Sequence, residues 1–303
     1  MIREIETGSG VLGISIFDEQ NNEPHVKIEY YRGKDVGVTV PEKVDEGNVT
    51  QIGKKAFLGA KTVTKIELPD TVDAIGDWAF ASCSALKEIV IPARKISYGS
   101  GLFRDCDKLE KVTLKCQSDN AVKNSDIPYL LALAVSKMDA AYLFDIEKAG
   151  SADWINHFDS VISQILDRDD SDGFSKMLLC GEEDYVGDES NFDTYCLLKK
   201  KEKVRILLVR LLHPFDLGDS YRERFSKYLS GNMDAAVWPL VLEEHGDEQE
   251  YFKLLIDTGC INDSNISKLI DSMGERNTQM KGYLIRHKGE NSRGGDFFGG
   301  LDL

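Results

Sequence analysis

Residues 75–92 read IGDWAFASCSALKEIVIP, and residues 52–69, IGKKAFLGAKTVTKIELP, say nearly the same thing 23 positions earlier. The offset holds once more: Ile52, Ile75 and Tyr98 align, as do Gly53, Gly76 and Gly99, and Phe57, Phe80 and Phe103. The second half of each unit agrees through Val63, Leu86 and Leu109, then Ile66, Ile89 and Val112, then Leu68, Ile91 and Leu114. Ala60, Cys83 and Cys106 also fall in register. Self-similarity at this spacing points to a solenoid, in which one short unit cannot bury its apolar face alone and does so against its neighbours.

Within a unit, Ile-Gly-x-x-Ala-Phe places apolar residues one helical turn beyond a glycine, which predicts a short helix or 3₁₀ turn. KEIVIP then alternates and ends at proline, which predicts a strand. Stacked units bring their strands into a parallel sheet with a spacing of about 4.8 Å. Side-chain alternation turns Ile66, Leu68, Ile89, Ile91, Val112 and Leu114 inward. It leaves Lys65, Glu88 and Lys111, and beside them Glu67, Val90 and Thr113, as outward rows. These six are the candidate protein-contacting residues, and the same pattern also serves as a solvated charge ladder that fixes stacking.

A less regular copy stands earlier, where Val38-Thr39-Val40-Pro41 parallels Ile66-Glu67-Leu68-Pro69 in a unit longer by about five residues. Before it, VLGISIF and HVKIEYY alternate on either side of DEQNNEP. That is the pattern of a hairpin, expected to cap the first coil.

The pattern Ile-Gly-x-x-Ala-Phe-x-x-Cys-x-x-Leu-x-x-Ile-x-Ile-Pro resembles the bacterial BspA-like leucine-rich repeat, also called the Treponema pallidum type, over about residues 31–115. Two copies are close to the pattern, and the third lacks the proline after Leu114. The resemblance implies a non-enzymatic protein, and many such proteins sit on bacterial surfaces and contact host proteins or other cells. The chain departs from those members in starting MIREIETGSG, without a basic segment followed by an apolar run. The expectation is a cytoplasmic protein, or a cell-surface or secreted one if a signal has been removed.

The 303 residues carry 37 basic against 52 acidic side chains, a net charge of −15 that disfavours nucleic acid and anionic lipid as main partners. No apolar stretch reaches the length of a membrane span, so membrane insertion is not expected. Cys83, Cys106, Cys116, Cys180, Cys196 and Cys260 form neither a CxxC nor a dense framework, so reduced, mostly buried thiols are expected. Cys83 and Cys106, one coil apart, are expected to stack in the core.

After Lys115, CQSDNAVKNSD reads as a polar connector, and everything beyond is helical in period. Pro128 marks a helix start before YLLALAVSKMDAAYLF. NFDTYCLLKKKEKVRILLVRLL, SYRERFSKYLS, AAVWPLVLEEH, EQEYFKLLIDTG and NISKLIDSM space their apolar residues three and four apart. KMDAAYLFDIEKAGSADWINHFDSVI, from Lys137, resembles NMDAAVWPLVLEEHGDEQEYFKLLID, from Asn232, at an offset of 95 residues. Helix pairs of this size resemble a degenerate ankyrin-type solenoid, LLIDTGCIN at 254–262 being the nearest phrase, although the Thr-Pro-Leu-His turn is missing. The glycine-dense end, GENSRGGDFFGGLDL, is expected to be a flexible tail, with a docking motif around Phe297, Phe298 and Leu301 as the other reading.

Motifs that carry chemistry were weighed against plainer readings. Gly8-Ser9-Gly10-Val11-Leu12-Gly13 spells GxGxxG, but a strand-like segment follows where a dinucleotide site needs a helix. Asp167-Arg168-Asp169-Asp170-Ser171-Asp172-Gly173 would put Arg168 first and Leu179 twelfth in a calcium loop, where acids are required, so a solvated acidic turn is expected. His25, His157, His213, His245 and His287 stand singly, without metal-ligand spacing.

The expected architecture is α+β: a leucine-rich-repeat solenoid with a hairpin cap over 1–118, a helical-hairpin array over 119–289 and a tail over 290–303. The expected function is a non-catalytic protein–protein interaction scaffold with no metal or small-molecule cofactor and a protein partner of unknown identity. The alternatives are an enzyme with its site in the helical half and the repeats as targeting module, or a bacterial surface adhesin.

Overall fold

The structure is a computed structural model that describes residues 2–18, 24–115, 125–174 and 189–295. It divides into two compact units, Met1–Val161 and Ile162–Leu303. The first unit runs beyond the boundary expected at 118, because helix α1 (Ile127–Ser136) packs on the last strand of the solenoid.

Each coil supplies two strands rather than the single one expected. Strands β4 (Gly37–Thr39), β7 (Lys65–Glu67), β9 (Glu88–Pro92) and β11 (Lys111–Lys115) form a parallel sheet in the order β11-β9-β7-β4. Its register pairs Val38 with Ile66, Ile66 with Ile89, and Ile89 with Val112. The repeat spacing is therefore the sheet register, and the longer early unit is a true coil. The second sheet holds β6 (Gly47–Ile52), β8 (Ala74–Ile75) and β10 (Ser97–Tyr98), with β5 (Lys43–Val44) beside β6. Strands β8 and β10 span two residues each, too short to show a period of two in the sequence.

The expected hairpin is β2 (Gly10–Asp18) with β3 (Pro24–Gly33), and β1 (Ile2–Glu6) adds a third antiparallel strand. Strand β3 then runs parallel to β6, pairing Val26 with Val49 and Ile28 with Ile52. The cap is thus continuous with the solenoid, and its second strand is the first rung of the second sheet.

Inside the coils, Ile66, Leu68, Ile89, Ile91 and Val112 are fully or almost fully buried, each contributing about 1.5–3 kcal/mol relative to exposure. The phenylalanines stack face to face along the axis. Ring centroids are 5.5 Å apart for Tyr31–Phe57 and Phe57–Phe80 and 5.6 Å for Phe80–Phe103. Phe144 closes the column edge-on against Phe103 at 5.7 Å. Cys83 and Cys106 are buried beside it, and their thiols donate to the carbonyls of Phe57 and Phe80, one coil back, at 3.1 Å each.

Of the short helix or 3₁₀ turn expected, the Ala-Phe segment is a tight turn, with Ala56, Leu58 and Ala60 donating three residues back. Lys55, Trp78 and Gly101 hold φ near +60°, and four residues on Gly59, Ser82 and Asp105 do so again. A left-handed residue at both ends stops helix propagation and turns the amides along the stack. Lys55, Phe57 and Gly59 accordingly donate to the carbonyls of Asp77, Ala79 and Ala81 at 2.7–2.9 Å, and Trp78, Phe80 and Ser82 repeat this one coil further on. The invariant glycine of the phrase has a different cause: a Cβ on Gly99 would lie 2.3 Å from the Asp77 nitrogen, so coils could not close at that corner.

Helix α1 takes the place of a further coil. Its Leu130, Leu131, Leu133 and Ala134 are buried, Ser136 donates to the Leu109 carbonyl at 3.2 Å, and the Lys137 ammonium donates to the Asp107 carbonyl. The helix starts at Ile127 with Pro128 in its first turn and ends at Ser136, with Asp139 in the left-handed region and a 3₁₀ turn over Ala141–Leu143. Helix α2 (Ala152–Asp167) follows, its Trp154 indole bonded to the Leu143 carbonyl at 2.9 Å.

The second unit contains α3 (Glu189–Leu212), α4 (Asp219–Gly231), α5 (Trp238–Glu244), α6 (Gln249–Asp257), α7 (Ile266–Ser272) and α8 (Thr278–Gly295). Before α5, Met233–Val237 form a π turn, and Pro239, which has no N–H to donate, stands just beyond it. Trp238 meets Phe252 edge-on and donates to Ser272 at 2.8 Å, tying α5 to α6 and α7. Helix α8 runs through Gly289 to Gly295, so helix continues where a tail from 290 was expected; an internal glycine costs only about 1 kcal/mol. Phe297, Phe298 and Leu301 lie outside the described residues.

The column gives a first prediction. Phe80→Ala, which opens a gap between two stacked rings, lowers the unfolding free energy by about 3–5 kcal/mol in urea titration. Gly99→Ala also lowers it, because backbone rather than a movable side chain fills the space.

Candidate interaction surface

The outward face of the β11-β9-β7-β4 sheet is where the six expected contact residues come together. Lys65 pairs with Glu88 at 2.9 Å across β7 and β9, and Thr113 on β11 donates to the same carboxylate at 2.6 Å. Burial pulls the Glu88 carboxyl up, but the Thr113 hydroxyl and the Lys65 ammonium more than offset it, and it titrates below the usual range. The same contact raises Lys65. Lys111 lies over the Tyr129 ring of α1 at 5.6 Å.

Val90 is corrected by the structure: it points to the outward side but is only 8% exposed. Glu67 on β7 is in register with Val90, and its carboxylate meets Lys115 of β11 at 3.4 Å, an ion pair that spans β9. Leu114, read as inward, is half-buried, since no further coil stacks on β11. The face is therefore a set of charges already satisfied by one another, with Lys65, Glu67, Glu88, Lys111 and Thr113 reaching solvent.

The GxGxxG loop holds an anion of the chain's own. Asp35, 7% exposed, accepts from Thr7 Oγ1 at 2.6 Å, Ser9 N at 2.5 Å, Ser9 Oγ at 2.8 Å and Tyr31 Oη at 3.0 Å. A Cβ on Gly8 would lie 2.9 Å from its carboxylate, and one on Gly10 would meet the Arg32 carbonyl and Gly33 Cα of β3 at 2.7 and 2.8 Å as well as the carboxylate at 2.9 Å, so these glycines make room for the chain's own groups, not for a pyrophosphate. The Thr7 hydroxyl first, then Ser9 and Tyr31 against the opposing effect of burial, hold the carboxyl down at about 2. The cluster clips the β1–β2 turn to the start of the first coil.

The acidic turn at 167–173 is neutralised locally. Lys203 meets Asp170 at 2.7 Å, Lys200 meets it at 3.7 Å, Arg224 meets Asp167 at 2.6 Å, and Asp169 accepts from the Ser171 amide and hydroxyl. His25 contacts Thr50 and stacks on Phe17, while His245 contacts Glu248 and stacks on Tyr251. Among the described residues, no group of three or more His, Cys, Asp or Glu side chains could hold a metal ion. Cys116 and Cys180 lie outside the described residues; Cys83, Cys106 and Cys260 are buried free thiols, and Cys196 is half-buried. No helix among the described residues is long and apolar enough to cross a membrane.

One set of exposed side chains was not singled out from the sequence: Arg32, Lys34 and Val36 on the first coil, and Lys55, Leu58 and Lys61 on the next. They lie on adjoining segments because residues 31–36 run alongside 56–64, an irregular offset of 25 to 28 that the strict period hides.

The Asp35 clip predicts a pH dependence. Its folded carboxyl lies below the free value of 3.8, so its stabilisation is present above that pH and is lost as pH falls toward 2. Urea midpoints measured from pH 5 to pH 2 fall more steeply in the wild type than in Asp35→Asn, which starts lower at neutral pH.

A family model for the BspA type leucine rich repeat region matches residues 41–128 in six copies. No curated protein matches the chain. Among solved structures, a leucine-rich repeat protein from Bacteroides ovatus is 31% identical, with a TM-score of 0.29, over 33% of this chain and 27% of its own. The T. pallidum leucine-rich repeat protein is 23% identical, with a TM-score of 0.24, over 33% of this chain and 67% of its own. The pneumococcal vaccine antigen PcpA is 21% identical, with a TM-score of 0.27, over 38% of this chain and 39% of its own. The chain thus spans well under half the length of the Bacteroides and pneumococcal proteins. The in-register coils and the family match agree: residues 41–128 of this chain are a BspA-type leucine-rich repeat region.

Proposed function

We propose that the protein is a non-catalytic scaffold that binds a protein partner through its repeat surfaces. The observation that carries this reading is the in-register stacking of the coils, Val38 on Ile66 on Ile89 on Val112, which holds rows of side chains on a rigid backbone. Such rows lose little conformational entropy on binding, which favours recognition over an extended area. The outward residues Lys65, Glu67, Glu88, Lys111 and Thr113 are the sheet's share of that surface, and Val90 is withdrawn from it. The helix pairs of the second unit, α5 with α6 and α7 with α8, supply a second, ankyrin-like surface in this reading.

The test is affinity capture by the full chain from a lysate of the source cell, with identification of retained proteins by mass spectrometry. A specifically enriched protein is expected, and no enrichment over an unrelated bait overturns the proposal. The double variant Lys65→Glu/Glu88→Lys keeps the ion pair with its polarity reversed. Because the Thr113 hydrogen bond to Glu88 is lost and Lys111 stands opposite, it is expected to cost about 1 kcal/mol of stability while lowering capture through the sheet. The reading holds in either compartment, and fractionation of source cells distinguishes cytoplasm from cell surface.

A further inference from the structure

The sheet face spends its charges internally, whereas the turn edge of the first two coils does not. The segment 31–36 lies against 56–64: the Tyr31 amide donates to the Ala56 carbonyl at 2.7 Å, the Thr64 amide to Val36 at 2.7 Å, and Thr62 Oγ1 to Asp35 at 3.3 Å. The segment that carries Arg32, Lys34 and Val36 thus runs beside the one that carries Lys55, Leu58 and Lys61, and all six side chains are exposed. Val36 is 67% and Leu58 46% exposed, in a domain whose other coil-borne aliphatic side chains are largely buried.

Among the described residues, Lys34, Lys55 and Lys61 make no ion pair, and Arg32 lies only over the Tyr30 ring, at 4.4 Å. By contrast Lys65, Lys87 and Lys115 each meet a carboxylate on a neighbouring coil. The one acid in the patch, Asp35, is turned inward and held by Thr7, Ser9 and Tyr31, so it does not answer these cations. Four positive charges around two exposed aliphatic side chains are thus unmatched on a chain of net charge −15. At physiological salt the screening length is about 8 Å, so a ligand seated on the patch feels these cations more than the distant acids.

We infer that this turn edge is a docking site for an acidic peptide segment of a partner protein, one that places an aliphatic or aromatic side chain between Val36 and Leu58 and carboxylates against Arg32, Lys34, Lys55 and Lys61. The inference rests on the scaffold reading and names the partner's chemistry. Charge complementarity selects the acidic segment, and the two apolar side chains select against a purely polyanionic one. The backbone beneath is fixed by the Asp35 clip and the coil-to-coil bonds, so binding need not order it.

The test measures fluorescence polarisation of a labelled peptide, Glu-Glu-Leu-Glu-Phe-Glu-Glu, titrated with the full chain. Two comparison peptides carry Gln for every Glu, or Ser for Leu and Phe. The acidic apolar peptide is expected to bind tightest, and Lys34→Glu/Lys61→Glu is expected to weaken it by roughly tenfold or more. Leu58→Ser is expected to weaken it without removing a charge, and Lys108→Glu to leave it unchanged. Because all these positions are exposed, circular dichroism melts should match the wild type, and Lys34→Ala/Lys61→Ala gives a milder second variant. Equal binding of the uncharged peptide, or unchanged affinity in both double variants, overturns the inference. So does binding of phosphatidylserine vesicles or a short single-stranded DNA through the same lysines in place of the peptide. If a partner captured from lysate is still retained by Lys34→Glu/Lys61→Glu, the scaffold reading stands and this site falls.

Discussion

The solenoid depends on one contact repeated along its axis, an aromatic ring laid on the ring of the coil before. Tyr31, Phe57, Phe80 and Phe103 form a single column with centroid spacings of 5.5–5.6 Å. That spacing exceeds the separation of paired strands, about 4.8 Å, because the rings are tilted and offset, the preferred geometry for aromatic pairs. No coil could bury its own ring; each ring has one face on the previous coil and the other on the next. Stability is therefore shared between neighbours, and both ends of the column must be closed.

The ends are closed by different means. At the start, the antiparallel β1–β2–β3 meander merges into the second sheet, and Asp35 fastens its first turn to the first coil. At the finish, Phe144 covers Phe103 while α1 lies on β11 and its last turn reaches the carbonyls of Leu109 and Asp107. Each closure satisfies backbone groups or apolar surface that a further coil would otherwise meet, which leaves no open edge at the aromatic column.

This arrangement divides the surface into two electrostatic regimes. In the regular coils the 23-residue register puts Lys65 opposite Glu88 and Glu88 opposite Lys111, so alternating signs neutralise one another across strands. The first coil is longer and out of that register, and among the described residues its Lys34, like Lys55 and Lys61 on the next coil, makes no ion pair. Regularity in the repeat thus pairs charges across neighbouring coils, and the irregular first coil falls outside that pairing.

The period by itself determined the coil, its inward rows, the sheet register and the cysteine stack, since a strict spacing forces equivalent residues into contact. The charge ladder was legible for the same reason. Other features required the folded chain. The two-residue strands carry no pattern, and the left-handed positions are held mostly by Lys, Trp, Ser and Asp rather than by glycine. Val90 looked exposed by alternation and is buried, on a strand that the Glu67–Lys115 ion pair spans. The glycines of GxGxxG took their meaning from β3 and the turn after it: Asp35 at Gly8, the backbone of Arg32 and Gly33 at Gly10, and the Tyr30 ring at Gly13. Spacing along the chain fixes which residues share a row. Only the tertiary structure decides which side chains from different rows meet, because those distances depend on how coils of unequal length close upon one another.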